Sequence, residues 1–215
     1  MVNTEKILNE VIKKFNIIDA VDIPSIDLYM DQVTTFMDKH LSESKRFPDD
    51  KILTKTMINN YSKNDLLPPP VKKRYSKNHI ILLILIYYYK NILSISDINT
   101  ILTPLCDNYF NENSSLSLEK IYAKSCESET EQIDSIRDDI LKMIEDSKKQ
   151  FTEVDEQDKE YLQLYSLITS LCFDVYIKKQ MLEGIIDSMN SDMSKHTSKK
   201  KDLKKKAEKS TEHLK

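Results

Sequence analysis

Along most of this chain apolar residues recur three and four positions apart, the period of a helix with one buried face. Ile7, Leu8, Val11, Ile12 and Phe15 mark a first helix over Thr4 to Ile18, after an Asn/Thr start. Pro24-Ser25 interrupts. Ile26, Met30, Val33, Met37 and Leu41 then mark a second helix, and Ser42 to Asp50, with Pro48, reads as a loop. Thr54 is placed to cap a short third helix through Asn64 that buries Met57, Ile58 and Tyr61. Pro68-Pro69-Pro70 stops it and imposes an extended connection.

The apolar run Ile80–Tyr89 is compatible with a buried strand, but the Ser76 cap and a length of about fifteen residues favour a buried helix. Ser94 with Asp97 resembles a capping box and opens a fifth helix burying Ile98, Ile101, Leu102 and Leu105, which Pro104 is expected to end. Asn108 to Ser115 is a polar linker. Beyond it, Leu118, Ile121 and Tyr122, then Ile133, Ile136, Ile140, Leu141 and Ile144, predict one long or two consecutive helices with an acidic outer face. Tyr161 to Met189 predicts a last helix, apolar on most sides and therefore buried against partners. From Asn190 the chain is lysine-rich and is expected to be disordered or a frayed helix. The fold class is all-α. The expected divisions are a multi-helix domain over 1–112 (its core at 52–105), a helical region over 113–190 and a flexible tail over 191–215.

Composition narrows the chemistry. With 40% hydrophobic and 31% charged residues the chain is globular in character. Its longest apolar run is half what a bilayer span needs, and its N-terminus lacks a signal-peptide pattern; a cytoplasmic protein is expected. Cys106, Cys126 and Cys172 are odd in number and widely spaced, so they read as small hydrophobes at helix interfaces. The single glycine, Gly184, leaves no usual phosphate-cradling loop or nucleophile turn. His40, His79, His196 and His213 are scattered, and acidic neighbours such as Asp138-Asp139 point in different directions on a helix. No enzyme, cofactor, metal site or small-molecule effector is expected.

Charge is segregated although the net is only −3. From Lys51 to Ile80 there are seven Lys/Arg against one acid, Asp65; from Glu127 to Glu160, thirteen acids against five bases. The stretch from Lys195 to Lys215 carries nine lysines and three acids, and serves either to attach nucleic acid nonspecifically or to solubilise.

The order of parts within Ile52–Leu105 resembles the winged helix-turn-helix of MerR-type bacterial regulators. The phrase Met57-Ile58-Asn59-Asn60-Tyr61-Ser62-Lys63-Asn64-Asp65-Leu66-Leu67-Pro68 looks like the recognition helix and its Leu-Leu-Pro exit. Lys72-Lys73-Arg74-Tyr75 occupies the place of the basic wing, Ser76–Asn91 that of the long apolar helix, and Leu93-Ser94-Ile95-Ser96-Asp97-Ile98 that of the closing one. Asn59 stands where the family usually has arginine, and Asp65 where it has glycine. Lys55 and Lys63 are then candidates to replace the lost phosphate anchor. Together with Ile26–Val33, these phrases also resemble a family of unknown function from low-GC Gram-positive bacteria, often called YkrK-like, over roughly residues 20–180.

The resemblance implies DNA binding. Asn59 and Asn60 would meet adenine edges, and Lys55, Lys63, Lys72, Lys73 and Arg74 would grip phosphates, with Thr56 and Tyr75 completing the surface. Tyr61 reads as core, and Tyr75 as packed under the wing with its hydroxyl outward. The partner is double-stranded DNA, the protomer a homodimer paired through helices beyond Leu116, and the action that of a transcriptional repressor. The bland alternative is a solvated basic face on a helical adaptor.

Overall fold

The computed structural model describes residues 2–15, 17–111 and 116–212; of residues 129, 130 and 192–212 only the backbone is described. Seven α-helices, one short 3-10 helix (Ser42–Ser44) and one two-stranded antiparallel sheet make up the regular structure of these residues: α1 Thr4–Lys14, β1 Leu28–Tyr29, α2 Met30–Leu41, α3 Lys55–Lys63, β2 Arg74–Tyr75, α4 Lys77–Tyr89, α5 Ile95–Tyr109, α6 Leu118–Lys148 and α7 Glu156–Glu212. The protein is all-α in class. No helix among the described residues is long and apolar enough to cross a membrane.

α4 is the centre. Ile80 to Ile84 and Ile86 are all buried, so no side of the helix faces water, and the other elements of the first core wrap around it. Its N-terminus is closed by a reciprocal cap in which Ser76 N–H donates to His79 Nδ1 at 3.0 Å. The β-rich composition of this run is overridden by length and capping, because a helix buried on all sides satisfies its own backbone.

The first core takes in residues from Ile18 to Tyr122. Its two ends are joined directly, Tyr122 Oη donating to the Ile18 carbonyl at 2.5 Å. It therefore crosses the polar stretch at which the sequence places a division, of which residues 112–115 lie outside the described residues. α1 stands apart from this core. Its one buried residue, Leu8, packs with Ile144 of α6 and Leu167 of α7 in a smaller second core.

Several expectations are corrected. α1 ends at Lys14, with Phe15 already extended, rather than at Ile18. α2 begins at Met30, and Ile26 is exposed ahead of it. Pro104 does not end α5, which continues to Tyr109. A proline inside a helix costs about 3 kcal/mol, but Leu105, Cys106, Tyr109 and Phe110 all pack against the first core and hold the last turn in place. Of the one or two helices expected over Leu118 to Ile144, one long helix forms, α6; the acidic stretch runs past its end through Glu153 and Asp155 into the start of α7, with Glu156, Asp158 and Glu160. Cys106 is partly buried, its thiol pushed up to about 11 by burial and then by Asp107, in keeping with a structural role; Cys172, in contrast, is exposed. α7 is not buried all round. Leu167 and Ile186 are inside, but most of its large apolar side chains are at the surface. Its backbone stays helical to Glu212, so the lysine-rich stretch is helical over the described backbone, while its side chains lie outside the described residues.

Candidate nucleic-acid interface

α3 is a nine-residue helix with two unlike faces. Thr54 Oγ1 accepts from Met57 N–H at 3.1 Å and starts it; Ile58 and Tyr61 are buried beneath it. Burial raises the Tyr61 phenol pKa, as befits a core position. Lys55, Thr56, Asn59, Asn60 and Lys63, with Asn64 at the C-cap, are exposed together because they lie one and four apart, while Met57 and Ser62 are half-buried. That face holds two cations, three amides, a hydroxyl and no acid.

The exit from α3 is a left-handed residue. Asp65 has φ 56°, after which Leu66 and Leu67 turn inward and donate to the Tyr61 carbonyl at 2.9 and 3.3 Å. A glycine would meet this conformation without steric cost; aspartate is among the few others that tolerate it.

Past the prolines the chain makes a tight hairpin. Arg74 N–H donates to the Val71 carbonyl at 2.9 Å, and the two residues between them, Lys72 (φ 50°) and Lys73 (φ 62°), are both left-handed. Positive φ at both central positions is the pattern of a type I′ turn, which favours Asn-Gly. Two lysines in that turn are a backbone cost at an exposed tip. Lys63, Lys72 and Lys73 are exposed and form no ion pair among the described residues.

The hairpin leans on β1, in the register Leu28↔Tyr75 and Tyr29↔Arg74. Leu28 and Tyr75 form its inner row, both buried; Val71, Arg74 and Tyr29 form the outer row, all exposed. Arg74 lies 5.3 Å from the centre of the Tyr29 ring and donates to its hydroxyl from Nε at 3.3 Å and from Nη2 at 3.2 Å. Tyr75 is only 3% exposed and is turned into the core against His79, which removes it from the contact surface expected for it and makes it a support of the hairpin.

Both expected parts thus face solvent, α3 with Lys55, Thr56, Asn59, Asn60 and Lys63, and the hairpin with Lys72, Lys73 and Arg74. Both are seated near the start of α2: Asp31 pairs with Lys55 of α3, and Tyr29 meets Arg74. Neither Tyr29 nor Asp31 was singled out from the sequence. Their pairing partners are 45 and 24 positions away, and no local spacing signals them.

No match to the chain is found among curated proteins or among solved structures. Residues 18–125 match the family described as a domain of unknown function, DUF1836, limits that nearly coincide with the first core from Ile18 to Tyr122. With that match covering half of its residues, the chain belongs to the DUF1836 family.

Proposed function

We propose that this protein is a DNA-binding transcription regulator of the MerR-type winged helix-turn-helix kind, acting in the cytoplasm as a homodimer that represses by occluding a promoter. The observation that carries this reading is the exposed face of α3. Five positions of a short helix and its C-cap Asn64 present amides, cations and a hydroxyl and no carboxylate, on an element held by its opposite face. An amide side chain pairs with the N6/N7 edge of adenine in the major groove, and lysines neutralise phosphates on either side. The hairpin supplies a second cationic point, and the two lysines kept in a turn that prefers Asn-Gly support a role for their charge. In a homodimer two α3 helices would address half-sites one helical turn, or a multiple, apart.

A gel-shift titration against the DNA upstream of the protein's own gene, at two salt concentrations with random DNA as competitor, tests the reading. Specific binding that weakens with salt supports it; a folded protein that binds no DNA at low salt rejects it.

One observation favours a second reading, a protein-interaction adaptor on the same scaffold. Lys55 is already paired with Asp31, and Asn59 stands where the resemblance places an arginine, so part of the phosphate grip is spent or missing. Failure of the gel shift turns the search to protein partners.

A further inference from the structure

Asp31 brings a carboxylate to a surface that has none of its own. The exposed residues of α3 and of the hairpin tip carry no acid, and the first turn of α3 has none either. Asp31, in the first turn of α2, reaches across to the first residue of α3 and pairs with the Lys55 ammonium.

That end of α3 is a place for an anion. A helix N-terminus carries a partial positive charge and unsatisfied N–H groups, and a lysine at its first residue adds a full charge. A carboxylate and a DNA phosphate are drawn to it for the same reason.

The pair does little for the fold. Lys55 is 59% exposed and Asp31 75%, and an ion pair so open to water adds little stability. Val33 and Met37 of α2 and Ile58 of α3, all fully buried in the first core, hold the two helices instead. Lys77 shows the contrast. It meets Glu119 at 2.8 Å with only 18% of its side chain exposed, and that pair ties α4 to α6.

The start of α2 also treats its two cations differently. Tyr29 holds Arg74 through its ring and hydroxyl and leaves the guanidinium charge whole, whereas Asp31, two residues on, offsets the charge of Lys55.

We propose that Asp31 is an internal competitor of DNA phosphate. Its carboxylate occupies Lys55 and holds affinity for any duplex below what the cations of this surface would give. A phosphate contact carries no sequence information, so the restraint acts on preferred and random duplexes alike, and the amides of Asn59 and Asn60 carry a larger share of binding. The inference rests on the proposed DNA contact of α3 and adds an affinity-determining residue that lies on another helix.

Anisotropy titrations of the full chain over a salt series test it, with the protein's own upstream DNA and a random-sequence duplex as probes. Asp31→Asn should bind both about two- to fivefold more tightly, the size of an exposed ion pair. Its salt dependence should steepen by about one phosphate contact, because Lys55 then displaces one more counterion. In a Lys55→Ala background the same substitution should give a smaller gain and no steeper slope. The thermal midpoint of Asp31→Asn should stay close to that of the wild type. A wild type that binds neither duplex at low salt rejects the DNA-binding reading and this inference with it. A wild type that binds, with no gain or a loss in Asp31→Asn, overturns the inference and leaves the reading standing. So does an equal gain and slope change without Lys55, which would mean that Asp31 acts through its own charge. A marked fall in midpoint with no gain in affinity assigns the pair to the fold and overturns the inference too.

Discussion

Arg74 and Tyr29 are 45 residues apart in sequence and directly opposite in the small sheet, the guanidinium lying over the ring with two of its N–H groups on the phenolic oxygen. This arrangement orients the arginine without neutralising it. Its remaining donors stay free for a phosphate, whereas the ammonium of Lys55 already meets the carboxylate of Asp31.

Removal of hairpin charge should act without regard to sequence. We expect Lys73→Ala with Arg74→Ala to weaken binding to every duplex alike and to flatten the salt dependence by about two phosphate contacts. Asn60→Ala should instead narrow the gap between the preferred and random duplexes. Anisotropy titrations over a salt series read both; wild-type behaviour of both variants would sink the assignment of this surface.

The turn should trade stability for charge. Lys72→Asn with Lys73→Gly places the favoured pair of a type I′ turn at two left-handed positions, and should stabilise the fold by about 0.5–1 kcal/mol. The same change should weaken DNA binding. Urea unfolding of the variant checks the first half, and a lower midpoint than wild type would contradict the backbone argument.

His79 should make stability pH-dependent. It is buried between Tyr75 and Phe110, and burial lowers its pKa, opposed in part by the carbonyls of Pro69 and Pro68 and by Asp27. With the folded value below the unfolded one, the neutral ring's contribution is complete above the unfolded value, about 6.5, and is lost as pH falls through the folded one. Urea midpoints should therefore drop from pH 7.5 to pH 5. His79→Gln keeps a Ser-x-x-Gln cap without a titrating ring, so its drop should be smaller; equal drops would show that His79 is not the source.

The central helix should tolerate no truncation. Leu82 is completely buried on α4, and Leu82→Ala should cost about 2–5 kcal/mol. Calorimetry or urea unfolding would measure it, and a loss below 1 kcal/mol would mean that the core relaxes around α4 far more readily than such cores do.

The helices were legible where local rules act alone. Caps at Thr54, Ser76 and Ser94 and the three- and four-residue spacings specify backbone within a few positions, and the structure has helices opening at those caps, whereas α3 stops at Lys63, ahead of the left-handed Asp65 and five residues short of the triple proline. The odd residue at the turn after α3 was also visible, as Asp65 in a place where the resemblance puts glycine, and its positive φ is the physical reason that place is special. Pro104 was misjudged because a local penalty was weighed without the packing of Leu105, Cys106 and Tyr109 that outweighs it.

Which face of each helix points where was a different matter. Sequence by itself determined an all-helical chain, its element order and a basic segment from Lys51 to Ile80, because propensity, capping and charge are properties of neighbours along the chain. Tertiary structure alone decided that Tyr75 turns inward while Tyr29 braces Arg74, that α1 leaves the first core for a second one with α6 and α7, and that most large apolar side chains of α7 stay at the surface. Those outcomes depend on contacts between residues tens of positions apart, and an apolar side chain is the same in sequence whether its own chain covers it or leaves it exposed.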